Sequence, residues 1–117
     1  MRVKIYHNPR CSKSRQTLQL LQEQGVAIDV IEYLKTPPST EELGDILQKL
    51  GMEEPRQLMR TQETEYQTNN LGDTRLDRQT QLNFMVQFPI LIERPIVIAN
   101  DKAAIGRPPE AVLDILK

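Results

Sequence analysis

Cys11, the single cysteine of the chain, is the residue with the most specific chemistry. It lies in the run His7-Asn8-Pro9-Arg10-Cys11-Ser12-Lys13-Ser14-Arg15. An apolar, alternating stretch precedes the run and a leucine-rich stretch follows it, which predicts a strand-to-helix turn around the sulfur. Backbone N–H groups and the positive dipole end of a helix N-terminus favour a thiolate, as do nearby Arg and Lys side chains. We interpret Cys11 as a reactive nucleophile, because its polar, turn-forming neighbours are unusual for a buried, inert cysteine.

The residue three positions after the cysteine is Ser14, where a redox Cys-x-x-Cys motif would carry its second thiol. After Cys11 attacks an oxidant or an oxyanion, the chain offers no thiol of its own to release the adduct. An external thiol must then complete the cycle through a mixed disulfide. The sequence therefore predicts a small-thiol or protein-thiol partner if the protein turns over.

Three arginines occupy positions that solvation alone does not explain. Arg94 lies between a predicted strand and Pro95, Arg107 precedes two prolines, and Arg60 ends a short apolar segment. The planar guanidinium fork binds tetrahedral oxyanions through paired, charge-assisted hydrogen bonds. Each arginine taken alone could equally be an ordinary surface residue.

Two other residues near these positions are candidates for supporting roles. His7 could polarise the thiolate or the substrate, or make a structural hydrogen bond at the end of a strand, and we favour the second. Pro95, in a turn before an apolar strand, is a candidate cis-proline. One His and one Cys make no plausible zinc site, so no metal is expected.

The hydrophobic pattern predicts a βαβ unit, then helices, then a ββα unit. Strands are expected at residues 2–7 and 26–33, around a helix that Ser12 or Ser14 caps and that runs to about Gln24, with Gly25 as its stop. Right-handed crossovers make two such strands parallel neighbours.

The middle and the last third of the chain complete this order. Ser39 to Glu42 forms a capping box that opens a helix through Leu50. A short helix is expected at residues 55–60, a polar loop at 63–73 and another helix at 77–87. Short strands are expected at 89–92 and 96–99, then a turn at Asn100-Asp101, a strand at 103–105 and a final helix that begins with prolines.

The bulk properties predict one domain over residues 1–117. The formal net charge of −1 argues against nucleic acid as a partner. No stretch is apolar enough to span a membrane, and no signal-peptide pattern opens the chain. A single cysteine cannot form an internal disulfide, so the cytoplasm is the expected compartment.

Longer motifs point to one protein family. They are Tyr6-His7-Asn8-Pro9 leading into Cys11 and Ser14-Arg15, Glu32-Tyr33-Leu34-Lys35-Thr36-Pro37-Pro38-Ser39, Leu58-Met59-Arg60, Phe88-Pro89-Ile90-Leu91-Ile92-Glu93-Arg94-Pro95-Ile96-Val97 and Gly106-Arg107-Pro108-Pro109-Glu110. Through these motifs the chain resembles, almost end to end, the glutaredoxin-dependent arsenate reductase family.

The resemblance implies an α/β protein with a thioredoxin-like three-layer sandwich, a mixed sheet and a helical insertion at about residues 39–88. It implies that Cys11 is the nucleophile, that Arg60, Arg94 and Arg107 bind the oxyanion, and that Pro95 is cis. His7, Ser14 and Arg15 fall on the motif around the cysteine as supporting residues. In such an enzyme, the thiolate attacks arsenate, glutathione reduces the adduct as a co-substrate, glutaredoxin resolves the mixed disulfide and arsenite is released. No bound cofactor is expected.

Two alternatives remain open at the level of sequence. The protein could be a general glutathione-linked thiol oxidoreductase, in which the arginines would hold the carboxylates of glutathione. It could also be a non-enzymatic redox or transcription regulator of the same fold family. Regulators of that kind use a Cys-x-x-Cys switch, which Ser14 removes here.

Overall fold

A computed structural model describes all 117 residues of the chain. The residues form two compact units, one of Met1–Thr36 with Arg94–Lys117 and one of Pro37–Glu93. The second unit is a continuous segment inserted into the first. The predicted organisation as one domain over residues 1–117 stays a prediction.

A mixed four-stranded sheet forms the centre of the first unit. Its strands are β1 (Arg2–His7), β2 (Ala27–Glu32), β3 (Ile96–Ala99) and β4 (Lys102–Ile105), in the order β2-β1-β3-β4. β1 pairs in parallel with β2 and antiparallel with β3, and β3 pairs antiparallel with β4. The predicted βαβ and ββα units with a mixed sheet are confirmed, and this arrangement is the thioredoxin-like fold.

Helix α1 (Ser12–Glu23) and a C-terminal 3-10 helix (Pro109–Leu116) pack against this sheet. The core of the unit is apolar and contains Val3, Ile5, Leu21, Val97, Ala99, Val112 and Ile115. Burying these side chains removes apolar surface from water, which is the main favourable term for folding. The C-terminal end of β1 and the N-terminal end of α1 are thereby fixed at one edge of the core.

The start of α1 differs in one respect from the prediction. Cys11, not Ser12 or Ser14, occupies the N-cap position, with φ −93° and ψ 124°. Ser14 lies inside the helix and is fully buried. The helix ends at Glu23, and Gly25 follows with φ +70°, which confirms the predicted glycine stop.

The turn between β3 and β4 is a two-residue hairpin, as predicted. Ala99 pairs with Lys102, so Asn100 and Asp101 form the loop. Their φ values are 54° and 61°. Positive φ at both central positions is the type I′ geometry that suits the twist of paired strands, and Asn and Asp tolerate it best after glycine.

The second unit contains helices α2 (Thr40–Leu50), α3 (Thr64–Thr68) and α4 (Arg78–Gln87), with 3-10 turns at Pro55–Leu58 and Pro89–Leu91. The capping box is confirmed, because the Ser39 hydroxyl accepts from the Glu42 N–H and the Glu42 carboxylate accepts from the Ser39 N–H. Gly51 ends α2 with φ +72°.

Two predictions in this unit are wrong. Residues 89–92 are not a strand: they form a 3-10 turn, after which Ile92 makes a single antiparallel bridge with Met59. Pro89 stands at the start of that turn, where its missing N–H costs nothing. The segment 63–73 is not entirely loop, since it contains α3. None of the helices combines the length and the hydrophobicity that a membrane-spanning helix requires.

Candidate active site

Cys11 is held at the junction of β1 and α1 by two main-chain hydrogen bonds. Its N–H donates to the Asn8 carbonyl at 3.0 Å, and its own carbonyl accepts from the Arg15 N–H at 3.0 Å. The first bond closes a tight turn and the second is the first bond of the helix. The side chain is partly exposed, so a reactant in solution can reach the sulfur.

The surroundings of Cys11 favour its thiolate. Burial opposes ionisation, but the backbone N–H of Ser14, the Arg94 guanidinium, the backbone N–H of Lys13 and the Arg107 guanidinium outweigh it, in that order. The pKa of the Cys11 thiol is therefore below its ordinary value. A partly exposed thiolate in an electropositive setting is the environment of a reactive cysteine.

Arg107 comes within 3.7 Å of the Cys11 sulfur through its Nη2. Its Nε donates to the Arg94 carbonyl at 2.9 Å, which fixes the direction of the guanidinium. The preceding residue, Gly106, donates its N–H to the Pro95 carbonyl at 2.9 Å. These bonds connect the residues just before β3 with the residues just after β4, and they hold the Arg107 side chain beside the Cys11 sulfur.

Arg94 contributes a second positive charge to the same site. Its guanidinium lowers the pKa of Cys11, while its Nε is buried without a hydrogen-bond partner. The Arg94–Pro95 peptide bond is cis, as the resemblance implies, and so is the Arg107–Pro108 bond, which the sequence did not indicate. Cys11, Arg94 and Arg107 together present a nucleophile next to two cations, an arrangement suited to an anionic reactant.

Comparison with known proteins assigns the chain to a family. Residues 6–115 match the model of the ArsC family. The chain belongs to the ArsC family. Among its relatives, the arsenate reductase of Haemophilus influenzae is 48% identical over 116 residues, which are 99% of this chain and 100% of that protein. An uncharacterized protein of Escherichia coli is 55% identical over 97% of this chain and 96% of its own length. The solved structure of an arsenate reductase from Vibrio cholerae has 54% identity and a TM-score of 0.95, covering 98% of each chain.

In this ArsC-family chain, His7 and Ser14 form a buried pair behind the cysteine turn. His7 Nδ1 lies 2.6 Å from Ser14 Oγ, and the Asn8 N–H donates to the same oxygen at 3.0 Å. Burial lowers the pKa of His7; Glu32 opposes this shift and Arg15 adds to it. Burial thus favours the neutral imidazole, and the observed contact of its Nδ1 is with the Ser14 hydroxyl.

Arg15 stabilises the turn from the outside. Its Nη1 donates to the Pro9 carbonyl at 2.9 Å, which connects the first turn of α1 to the loop before Cys11. The Arg15 side chain is exposed, and its guanidinium bonds the loop that leads to the cysteine. The supporting residues His7, Ser14 and Arg15 therefore all lie around the Cys11 turn.

Arg60 belongs to the second unit and is described there. Its N–H donates to the Leu91 carbonyl at 2.7 Å, and its Nη1 is 3.5 Å from the Ile90 carbonyl. Its Nη2 pairs with the Glu63 carboxylate at 2.7 Å. The proximity of Arg60 to Cys11 stays a prediction from the resemblance.

Two residues near Arg107 have a role that the sequence analysis missed. Thr17, in α1, donates its hydroxyl to the Lys13 carbonyl at 2.7 Å and faces the Gly106 carbonyl at 3.5 Å. A Cβ on Gly106 would collide with Thr17 Oγ1 and would lie 2.8 Å from Pro95 Cγ. The absence of a side chain at residue 106 therefore permits α1 to approach the segment that carries Arg107. The glycine directly before Arg107 was the available signal.

Proposed function

We propose that the protein reduces arsenate to arsenite, with Cys11 as the nucleophile and with glutathione and glutaredoxin as the reducing partners. The observation that carries this proposal is the partly exposed Cys11 sulfur 3.7 Å from Arg107 Nη2, in a setting that lowers the pKa of the thiol. Membership of the ArsC family, with relatives that are named arsenate reductases, supports the choice of substrate.

The positive charges of the arginines favour the first step of this reaction, the attack of the Cys11 thiolate on arsenate. Arsenate carries negative charge at neutral pH and would be repelled by a thiolate alone. Arg94 and Arg107 offset that repulsion and offer N–H donors to the oxyanion. Arg60 is proposed as a third oxyanion ligand on the resemblance alone.

The electrons come from two thiols. The Cys11 thiolate forms a bond to arsenic and one arsenate oxygen leaves as water after protonation. The glutathione thiolate then attacks the Cys11 sulfur, the S–As bond breaks, and its electron pair stays on arsenic, which becomes trivalent and leaves as arsenite. The two sulfurs are left as a mixed disulfide between Cys11 and glutathione, which a glutaredoxin thiol reduces. The chain has no second cysteine, which supports an external reductant.

The decisive experiment measures arsenite formed from arsenate with glutathione, glutaredoxin and an NADPH-coupled reductase. We expect turnover by the wild type, none by Cys11→Ser, and none when either glutathione or glutaredoxin is omitted. If the wild type gives no arsenite while Cys11 still reacts rapidly with a thiolate probe at pH 6, arsenate is the wrong substrate. Deglutathionylation of protein mixed disulfides would then be measured in the same coupled assay.

A further inference from the structure

The guanidinium of Arg60 is already paired with a carboxylate. Glu63 Oε1 lies 2.7 Å from Arg60 Nη2, and the two side chains are only 22% and 21% exposed. The limited exposure weakens solvent screening of this pair relative to pairs on the open surface. An anion that binds Arg60 must therefore approach a guanidinium that already has the Glu63 carboxylate as its partner.

The main chain holds both members of the pair. Arg60 donates its N–H to the Leu91 carbonyl at 2.7 Å, and Glu93 donates its N–H to the Leu58 carbonyl at 2.9 Å, so a short two-stranded contact anchors the arginine. The Glu63 N–H donates to the Arg60 carbonyl at 3.2 Å, which closes the turn between the two residues. The guanidinium and the carboxylate are thus kept within reach of each other.

Glu63 also stands where a helix usually has a capping side chain. It is the N-cap residue of α3, yet its side chain makes no capping hydrogen bond. The carboxylate is directed to Arg60 instead. The short helix consequently gains nothing from Glu63 through capping, and the observed contact of the side chain is the ion pair.

We propose that Glu63 is an internal counter-ion of Arg60 that competes with the oxyanion substrate and so weakens its binding. This inference rests on the proposed function, which counts Arg60 among the oxyanion ligands. A carboxylate and arsenate require the same kind of N–H donors from an arginine. Arsenate must displace the Glu63 carboxylate from Nη2, or share the guanidinium with it against like-charge repulsion.

Replacing Glu63 by Gln tests this competition. Glutamine keeps the length of the side chain and an amide oxygen for Nη2, but it removes the charge. We expect the KM for arsenate to fall roughly three- to tenfold, with kcat within about twofold, because a partly buried ion pair contributes somewhat more than an exposed one. If Glu63 instead orients Arg60 for the substrate, the same change raises KM.

The experiment compares wild type, Glu63→Gln, Arg60→Gln and the double variant, with Glu65→Gln as a matched control. Glu65 lies in the same helix α3, and its replacement removes the same charge without touching the Arg60 pair. Steady-state kinetics with glutathione and glutaredoxin give KM and kcat. Protection of Cys11 from iodoacetamide by arsenate gives binding without turnover, and circular dichroism checks that each variant is folded.

Competition predicts that Glu63→Gln tightens arsenate protection and lowers KM, that Glu65→Gln does neither, and that the gain disappears in the Arg60→Gln background. An unchanged or higher KM in Glu63→Gln, or a gain that persists without Arg60, overturns the inference while leaving arsenate reduction intact. Protection without arsenite formation in the wild type overturns the proposed function instead, and the protection constants then decide the Glu63 inference by themselves. If arsenate neither reacts nor protects, both proposals are overturned.

Discussion

Arg107 is 96 residues from Cys11 in the sequence, and its Nη2 lies 3.7 Å from the Cys11 sulfur. The guanidinium is directed by a bond from its Nε to the Arg94 main-chain carbonyl at 2.9 Å. The hairpin β3–β4 brings the two arginines together, because Arg94 precedes β3 and Arg107 follows β4. The positive charge beside the Cys11 sulfur is thus positioned by the sheet.

Replacing Arg107 by Gln should raise the pKa of the Cys11 thiol, because one of the positive charges that favour the thiolate is removed. The rate of alkylation by iodoacetamide, followed against pH, measures this directly. The kcat/KM for arsenate should fall on the order of a hundredfold, as when a donor is removed from a developing charge.

Arg10→Gln is the matched control for this change. Arg10 adjoins Cys11 in the sequence but is exposed, and it is not among the groups that lower the pKa of the thiol. Its variant should keep the alkylation profile of the wild type. Equal shifts in both variants would show that general positive charge, and not the placement of Arg107, controls the thiolate.

The lowered pKa of Cys11 also makes a contribution to stability that depends on pH. Since the native state favours the thiolate, the unfolded state binds more protons between the native pKa and the unfolded value of about 8.5. The contribution is fully present above the unfolded value and is lost as the pH falls through the native pKa. Urea denaturation measures the free energy of unfolding of the wild type and of Cys11→Ser. As the pH rises over this window, the wild type should gain stability relative to Cys11→Ser. A difference that is constant with pH would contradict the lowered pKa.

Ser14→Ala should destabilise the fold by roughly 1–3 kcal/mol, the cost of leaving buried polar groups without a partner. The fully buried hydroxyl bonds His7 Nδ1 and the Asn8 N–H. The backbone N–H of residue 14, which favours the thiolate, is retained, so Cys11 should remain more reactive than an ordinary thiol.

Urea denaturation of Ser14→Ala, with Ser12→Ala as the control, measures how much the buried hydrogen bonds of Ser14 contribute to stability. Ser12 is exposed, and its replacement should change stability by less than about 0.5 kcal/mol. If Ser14→Ala were as stable as Ser12→Ala, the buried hydrogen bonds would not stabilise the cysteine turn.

Local sequence signals were sufficient for most of the elements. The capping box at Ser39, the glycine after α1 and the Asn100-Asp101 turn each specify a local backbone geometry that the structure contains. The segment 89–92 was wrongly predicted as a strand because a short apolar run does not distinguish a buried strand from a buried turn. Pro89 was the residue that could have corrected it.

At the candidate site, the sequence indicated which residues could react or bind an anion, but it did not indicate which of them lie close together. The turn into α1 predicted a thiolate at Cys11, because the backbone N–H groups of Ser14 and Lys13 are close to it in the sequence. The contributions of Arg94 and Arg107 come from residues far along the chain. The bond from Arg107 Nε to the Arg94 carbonyl depends on the pairing of β3 with β4, and no local pattern encodes it. The Arg60–Glu63 pair was missed because a polar segment was interpreted as loop.

Gly106→Ala should destabilise the protein by roughly 1–3 kcal/mol, the usual cost of overpacking. The added methyl would collide with Thr17 Oγ1 and lie 2.8 Å from Pro95 Cγ and 3.0 Å from Thr17 Cγ2. Relief of the clash would move α1 away from the segment that carries Arg107, so the pKa of Cys11 should also rise. Thr17→Ala removes both Thr17 atoms, and the double variant should therefore regain part of the stability and of the thiolate reactivity.

Gly44→Ala is the control for this prediction. The Cβ at residue 44 would meet only Arg78 Nη2, at 3.8 Å, and alanine in the helix interior should stabilise the protein by about 0.5–1 kcal/mol. Urea denaturation measures the stability of the four variants, and alkylation kinetics measure their thiolate reactivity. If Thr17→Ala does not restore stability and reactivity to Gly106→Ala, the contact between α1 and Gly106 does not set the position of Arg107.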